Sequence, residues 1–217
     1  AAPFRTADQQ QVVNHCLDSM QQPRAVRVLT ADRGRGKSAA LGILSALLMN
    51  DGSAFEHTAA KAAVSSGKGV DIILTAPSRG AVQAAIAMLV SLLPAERLVC
   101  RKDCWSLGQS RLRFMLPDQL LQQLPDADLL LVDEAAPIPA PHLLHVLQYP
   151  RVIFATTLHG YEGTGQGFAV RFLPYLDRKV PEWQLLRMQQ PVRWAAGDPL
   201  ERFSYQALLL DAEPAVL

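Results

Sequence analysis

The chain has 217 residues, 49% of them hydrophobic and 19% charged, which is enough for one large domain with an ample core. A net charge of only +1 excludes the broad basic surface that holds proteins on nucleic acid through phosphate contacts, and leaves room for a local basic patch at most. No uninterrupted apolar run approaches the roughly 20 residues of a membrane span, so no membrane partner is expected.

The N-terminal stretch AAPFRTADQQ lacks a basic region followed by an apolar one, so no secretion signal is expected. It also lacks an initiator Met, and the expectation is a piece of a longer protein. From Thr6 to Met20, Val12, Cys16 and Met20 share one stripe with Val13 and Leu17 beside it, the pattern of an amphipathic helix. AVRVLT (25–30) reads as a strand and Ser38 to Leu48 as a largely apolar helix. VDIILTAP (70–77) reads as a strand closed by Pro77, and Ser78 to Leu93 as a helix ended by Pro94. Short strands are expected near Arg97–Cys100 and Arg111–Met115. ADLLLVDE (127–134) and RVIFATT (151–157) are apolar runs suited to strands buried on both faces, separated by a short helix near Pro141. This alternation implies βαβ units and a parallel sheet with helices on both faces. Residues 50–69 read as an insertion or mobile loop, TLHGYEGTGQG (157–167) as a glycine-rich connection, and 180–217 as a C-terminal appendage.

The three cysteines, Cys16, Cys100 and Cys104, are too few for a disulfide framework and fit a reducing, cytoplasmic compartment. Cys100 and Cys104 have no second ligand pair at zinc spacing, so free thiols are expected there. His142 and His145 have a spacing that can ligate a metal, but without a visible third ligand they read as a partly exposed helix face. Trp105, Trp183 and Trp194 could stack on bases, although scattered tryptophans are more often core residues.

Chemistry concentrates where the first strand meets the second helix. Ala31-Asp32-Arg33-Gly34-Arg35-Gly36-Lys37-Ser38 matches G-x-x-x-x-G-K-[ST], with alanine in place of the first glycine. Such a loop directs backbone N–H groups and a helix dipole at anionic oxygens. Lys37 would reach the β- and γ-phosphates, and the Ser38 hydroxyl would ligate Mg²⁺. About a hundred residues later LLLVDE ends in Asp133-Glu134. Asp133 suits the metal side and Glu134 the general base that activates water, although adjacent acids after a strand also cap helices. The pair of motifs predicts a P-loop nucleoside triphosphatase.

In order, TADRGRGKSA, LLLVDEAAPIP, ATTLHGYEGTGQGF and QPVRWAAGDPLE resemble the ATPase/helicase-like module of the tRNA(Met) cytidine acetyltransferase family, from Thr6 to about Asp211. GYEGTG after TT is the most specific of these. The resemblance implies a single RecA-like domain over 1–217 that binds and hydrolyses ATP with Mg²⁺. It also implies a parent enzyme that uses acetyl-CoA to acetylate N4 of the wobble cytidine of elongator tRNA(Met), through a domain absent from this chain. It maps the nucleotide site onto Gln9, residues 31–40 (to Ala39 and Ala40) and Arg193. Gln9 would read the adenine edge, and the spacing Thr6-x-x-Gln9 also makes a capping box. Arg193 would reach the phosphates, or else pair with Asp198 or stack near Trp194. Thr156 and Thr157 stand where related ATPases place a sensor of the γ-phosphate, and the glycines at 160, 163, 165 and 167 could move with nucleotide state.

Gln166 stands where many relatives carry arginine, Pro137 replaces a small residue, and residues 50–69 have no counterpart in the pattern. Arg33 and Arg35 could face nucleotide or RNA. Two other readings stay open: the motor lobe of a superfamily 1 RecD-like DNA helicase, which GYEGTG disfavours, and a nucleotide-dependent scaffold with little turnover. Nothing in the sequence sets an oligomeric state.

Overall fold

The structure is a computed structural model that describes residues 3–50, 69–157 and 167–190. The first helix, α1 (Ala7–Ser19), opens on Thr6, whose side chain accepts the Gln9 N–H. It leads to β1 (Ala25–Ala31), in which every residue is buried. Helix α2 (Lys37–Met49) follows the phosphate loop and is buried continuously from Ala40 to Met49. Then come β2 (Asp71–Thr75), α3 (Gln83–Leu92), β3 (Leu98–Arg101), β4 (Cys104–Leu107) and β5 (Ser110–Met115). Next are α4 (Pro117–Gln123), β6 (Leu129–Val132), α5 (Ala140–His145) and a 3₁₀ turn at Val146–Gln148. Strand β7 (Arg151–Thr156), a π-helical turn at Gly167–Phe172, α6 (Leu173–Lys179) and β8 (Gln184–Met188) complete the described chain.

Among the described residues eight strands form one sheet in the order β3-β4-β5-β2-β6-β7-β1-β8. The expected parallel core is present: β5-β2-β6-β7-β1-β8 pair in parallel throughout. Helices cover both faces, as expected. One face buries Leu29, Leu74, Leu131 and Ile153 under α1, α2 and α3. The other buries Val28, Ile73, Leu130 and Phe154 under α4, α5 and the π-helical turn, where Phe154, Phe168 and Phe172 meet edge to face or tilted. Alternate residues of each strand thus serve opposite layers, which is why these strands read as unbroken apolar runs.

Three features depart from expectation. Strands β3 and β4 add an antiparallel edge through hairpins, and β4 was not foreseen because its four residues carry no alternation of their own. Gly108 turns the second hairpin with φ +59°, a backbone state that glycine reaches without steric cost. Strand β8 lies in the stretch expected to be an appendage, yet it pairs with β1 and belongs to the sheet. Regular helix in α3 starts at Gln83 rather than Ser78, because Ser78 and Gly80 close turns onto Ala81 and Gln83 first. Residues 51–68 of the expected insertion, and the glycine-rich connection from 158 to 166, lie outside the described residues.

Helix α2 reaches α3 only because Gly42 lacks a side chain. A Cβ there would stand 2.2 Å from the Ala85 carbonyl oxygen and 2.9 Å from Met88 Cβ. Gly42→Ala is expected to destabilise the protein by about 2 kcal/mol despite its better helix propensity. A calorimetric Tm lowered by roughly 4–8 °C checks this.

Candidate functional site: a phosphate loop and two acids across one strand

The sheet order decides the geometry of the site. Strand β7 lies between β1, which feeds the phosphate loop, and β6, which feeds Asp133-Glu134. All three run in parallel, so the loop, the acids and Thr156-Thr157 emerge at the same edge, the carboxyl end where α/β sheets bind ligands. They line a cleft of about 580 Å³.

Gly34 and Gly36 adopt φ +78° and +82°, a left-handed state that would strain any other residue. Gly36 is also the N-cap of α2, and no side chain caps that helix, so its first amides are available to an anion. Lys37 folds back over its own loop. Its Nζ donates to Ala31 O at 2.7 Å, Asp32 O at 3.0 Å and Thr157 Oγ1 at 2.8 Å. Burial pushes the ammonium down to a pKa of about 8, opposed by the charges of Asp133, Asp32 and Glu134.

Across β7, Asp133 is 1% exposed. Its Oδ1 accepts the Glu134 N–H at 2.9 Å. Its Oδ2 is buried without a hydrogen-bond partner of normal geometry. Burial raises its pKa to about 6, and the Ser38 hydroxyl beside it pulls the other way. Glu134 is exposed at the cleft and has φ +48°. That state costs a non-glycine residue roughly 1–2 kcal/mol, so neighbouring bonds must hold it. Ala135 N donates to Ala155 O at 3.0 Å, and Ala136 N to Thr156 Oγ1 at 3.2 Å.

Gln9 is buried at the side of the cleft, where its Nε2 donates to Gly36 O at 3.3 Å and its Oε1 accepts Arg5 N–H at 2.9 Å. The capping box is therefore half formed: Thr6 caps the helix, while Gln9 turns to Arg5 and the phosphate loop. Arg33, Gly34, Lys37, Ser38 and Ala39 line the cleft, whereas Ala31 and Asp32 contribute carbonyls to Lys37. Arg35 is buried 4.0 Å from the Asp32 carboxylate, and Ala40 lies in the core, so neither is part of the cleft wall. Arg193 lies outside the described residues, as do His159 and Trp194. Of the other residues weighed, Trp105 and Trp183 pack against the two cores. His145 is exposed and His142 half-buried, and all three cysteines are free thiols. Among the described residues no cluster of three or more His, Cys, Asp or Glu could hold a metal.

Sequence reasoning missed one wall. Ala84, Ala87, Met88 and Ser91 of α3, together with Arg5, also line the cleft. Their spacing places them on one face of α3, but the same stripe describes any helix packed on a neighbour.

Residues 28–211 match the family described as RNA cytidine acetyltransferase NAT10/TcmA, helicase domain. The chain is 45% identical over 213 residues to the tRNA(Met) cytidine acetyltransferase TmcA of Nitrosococcus halophilus, covering 97% of this chain and 26% of the relative. It is 42% identical over 187 residues to the TmcA of Vibrio cholerae, covering 86% and 24%. The chain thus spans about a quarter of the length of these relatives. Among solved structures, the large terminase of a thermophilic bacteriophage superposes with a TM-score of 0.62 at 12% identity, over 92% of this chain and 49% of that one. A crystal form of the same terminase in complex with ADP gives 0.59. The fold is that of a P-loop nucleoside triphosphatase, and the chain belongs to the helicase-domain family of the NAT10/TcmA RNA cytidine acetyltransferases.

Proposed function

We propose that this chain is the ATP-binding, Mg²⁺-dependent ATP-hydrolysing module of a cytoplasmic tRNA(Met) cytidine acetyltransferase. In the whole enzyme, ATP turnover would serve the acetyl-CoA-dependent formation of N4-acetylcytidine at the wobble position of elongator tRNA(Met). One observation carries this reading: a half-buried ammonium and a buried carboxylate face one cleft from opposite sides of β7, and burial displaces each from its ordinary ionisation. Fully buried charges without full compensation are expensive, and they persist where a ligand supplies the missing partner. The family match favours this reading over a RecD-like motor lobe.

The residues fit the magnesium ion that the family implies. The Ser38 hydroxyl and the Asp133 Oδ2 beside it, which has no partner of normal geometry, are hard oxygen donors, and a cation that keeps most of its waters needs few protein ligands. When bound, the ion would neutralise charge on the phosphate oxygens. The chain's own groups do the rest. Amides of the loop and the first turn of α2 hold the phosphates, and Lys37 exchanges its contacts with Ala31, Asp32 and Thr157 for phosphate oxygens. Glu134 accepts a proton from the water that attacks the γ-phosphorus, while the P–O bond to the ADP leaving group breaks. Gln9 borders the adenine end, and Arg193 adds charge at the phosphates.

Two outcomes are expected in the natural full-length protein. Glu134→Gln should keep ATP binding but lower turnover by about 10²-fold or more, in an assay run with and without tRNA. Lys37→Ala should weaken binding of ATP itself, measured by titration. If both variants hydrolyse ATP like the parent, the assigned roles are wrong.

Asp133 supplies a pH test. Its folded pKa, about 6, lies above the ordinary 3.8, so the folded state binds the proton more tightly and loses stability as pH rises from about 4 through 6. Asp133→Asn should therefore raise the Tm of the nucleotide-free protein above pH 6, lose that gain below about pH 4, and abolish Mg²⁺-dependent turnover. An unchanged or lower Tm at pH 8 contradicts it.

A further inference from the structure

We infer that Thr156 is a positioning residue for Glu134, its buried hydroxyl holding the turn that fixes this residue in its left-handed backbone state. The inference rests on the reading of Glu134 as the general base. Adjacent threonines at a strand end suggest a shared role toward the γ-phosphate, but their hydroxyls do different things. Thr157 Oγ1 receives Lys37 Nζ at 2.8 Å and so belongs to the phosphate side. Thr156 is 1% exposed, and its Oγ1 accepts Ala136 N–H at 3.2 Å while donating to Thr157 O at 3.4 Å.

Ala136 is itself buried, so without that oxygen its N–H would lose a partner that water cannot readily replace. On its other side, Glu134 is fixed by its own N–H to Asp133 Oδ1. The turn is therefore anchored by three bonds: one to the metal-side acid, one from Ala135 to the Ala155 carbonyl, and one to the Thr156 hydroxyl. The bond to Ala155 needs only backbone and survives any substitution there. The Thr156 bond needs a hydroxyl at that position. A base held in an unfavourable backbone state relaxes when such a restraint is lost, and a displacement of the order of 1 Å is enough to cost catalysis heavily.

The test compares Thr156→Val, which keeps the branched shape and removes the hydroxyl, with Thr156→Ser, which restores it, in the natural full-length protein. Thr156→Val is expected to lower kcat for ATP by about 10- to 100-fold, with the Kd of a non-hydrolysable ATP analogue unchanged within about twofold. Thr156→Ser should recover most of the loss. Should the valine variant fail to fold, Thr156→Ala replaces it in the same comparison. Parent-like turnover by a folded variant lacking the hydroxyl overturns the inference and leaves the ATPase reading intact. So does a loss of analogue binding as large as the loss of kcat, which would place Thr156 on the nucleotide. If the parent protein turns over no ATP, or if Glu134→Gln hydrolyses it normally, the reading of the base fails and takes this inference with it.

Discussion

The structure turns on holding two opposite charges, the half-buried Lys37 and the buried Asp133, at one edge of a parallel sheet. Each is displaced from its ordinary ionisation by burial, and each is only partly compensated by the other and by nearby dipoles. Loop carbonyls and Thr157 hold the ammonium, while one carboxylate oxygen has no partner of normal geometry and only the Ser38 hydroxyl near the group. A site arranged in this way destabilises the protein that carries it and favours whatever ligand completes it, the usual trade between stability and function. On the function proposed above, a triphosphate with its cation would be that complement.

The surrounding fold supplies the rigidity this requires. Helix α2, whose N-terminus borders the cleft, is the most buried helix described, seated between β1 and its neighbours α1 and α3. The phosphate loop is thus clamped at one end by a central strand and at the other by a helix that cannot shift without opening the core. The close approach at Gly42 is part of the same arrangement, since it lets α3 stand near enough to line the cleft. On the opposite face the Phe154, Phe168 and Phe172 cluster backs β7, the strand that separates the two halves of the site.

Strand β7 is where local strain and long-range order meet. Its C-terminal end touches both neighbours: Thr157, just beyond it, reaches Lys37 after β1, and Ala155 and Thr156 hold the turn after β6. The left-handed Glu134 marks where the chain departs from its easiest path, and such departures gather at functional sites.

Local chemistry made much of this legible in advance. The glycines, lysine and serine of residues 34–38 declare an anion site because few other functions need that backbone freedom beside that charge. Runs such as LLLV and RVIFAT declare strands covered on both faces, and the family resemblance rests on short motifs that need no fold to be read. Other features depend on residues distant in sequence. That β7 lies between β1 and β6 follows from sheet order, which no local pattern encodes. For the same reason β8 could not be told from an appendage, since its pairing with β1 is set by register across more than 150 residues. The division of labour between Thr156 and Thr157 arises because the first ends the strand and the second leaves it, so their hydroxyls meet different neighbours. Which groups could bind an anion is a reading of residue type and spacing alone. Which of them face one another is settled by folding, because burial and hydrogen-bond partners exist only once the sheet has closed.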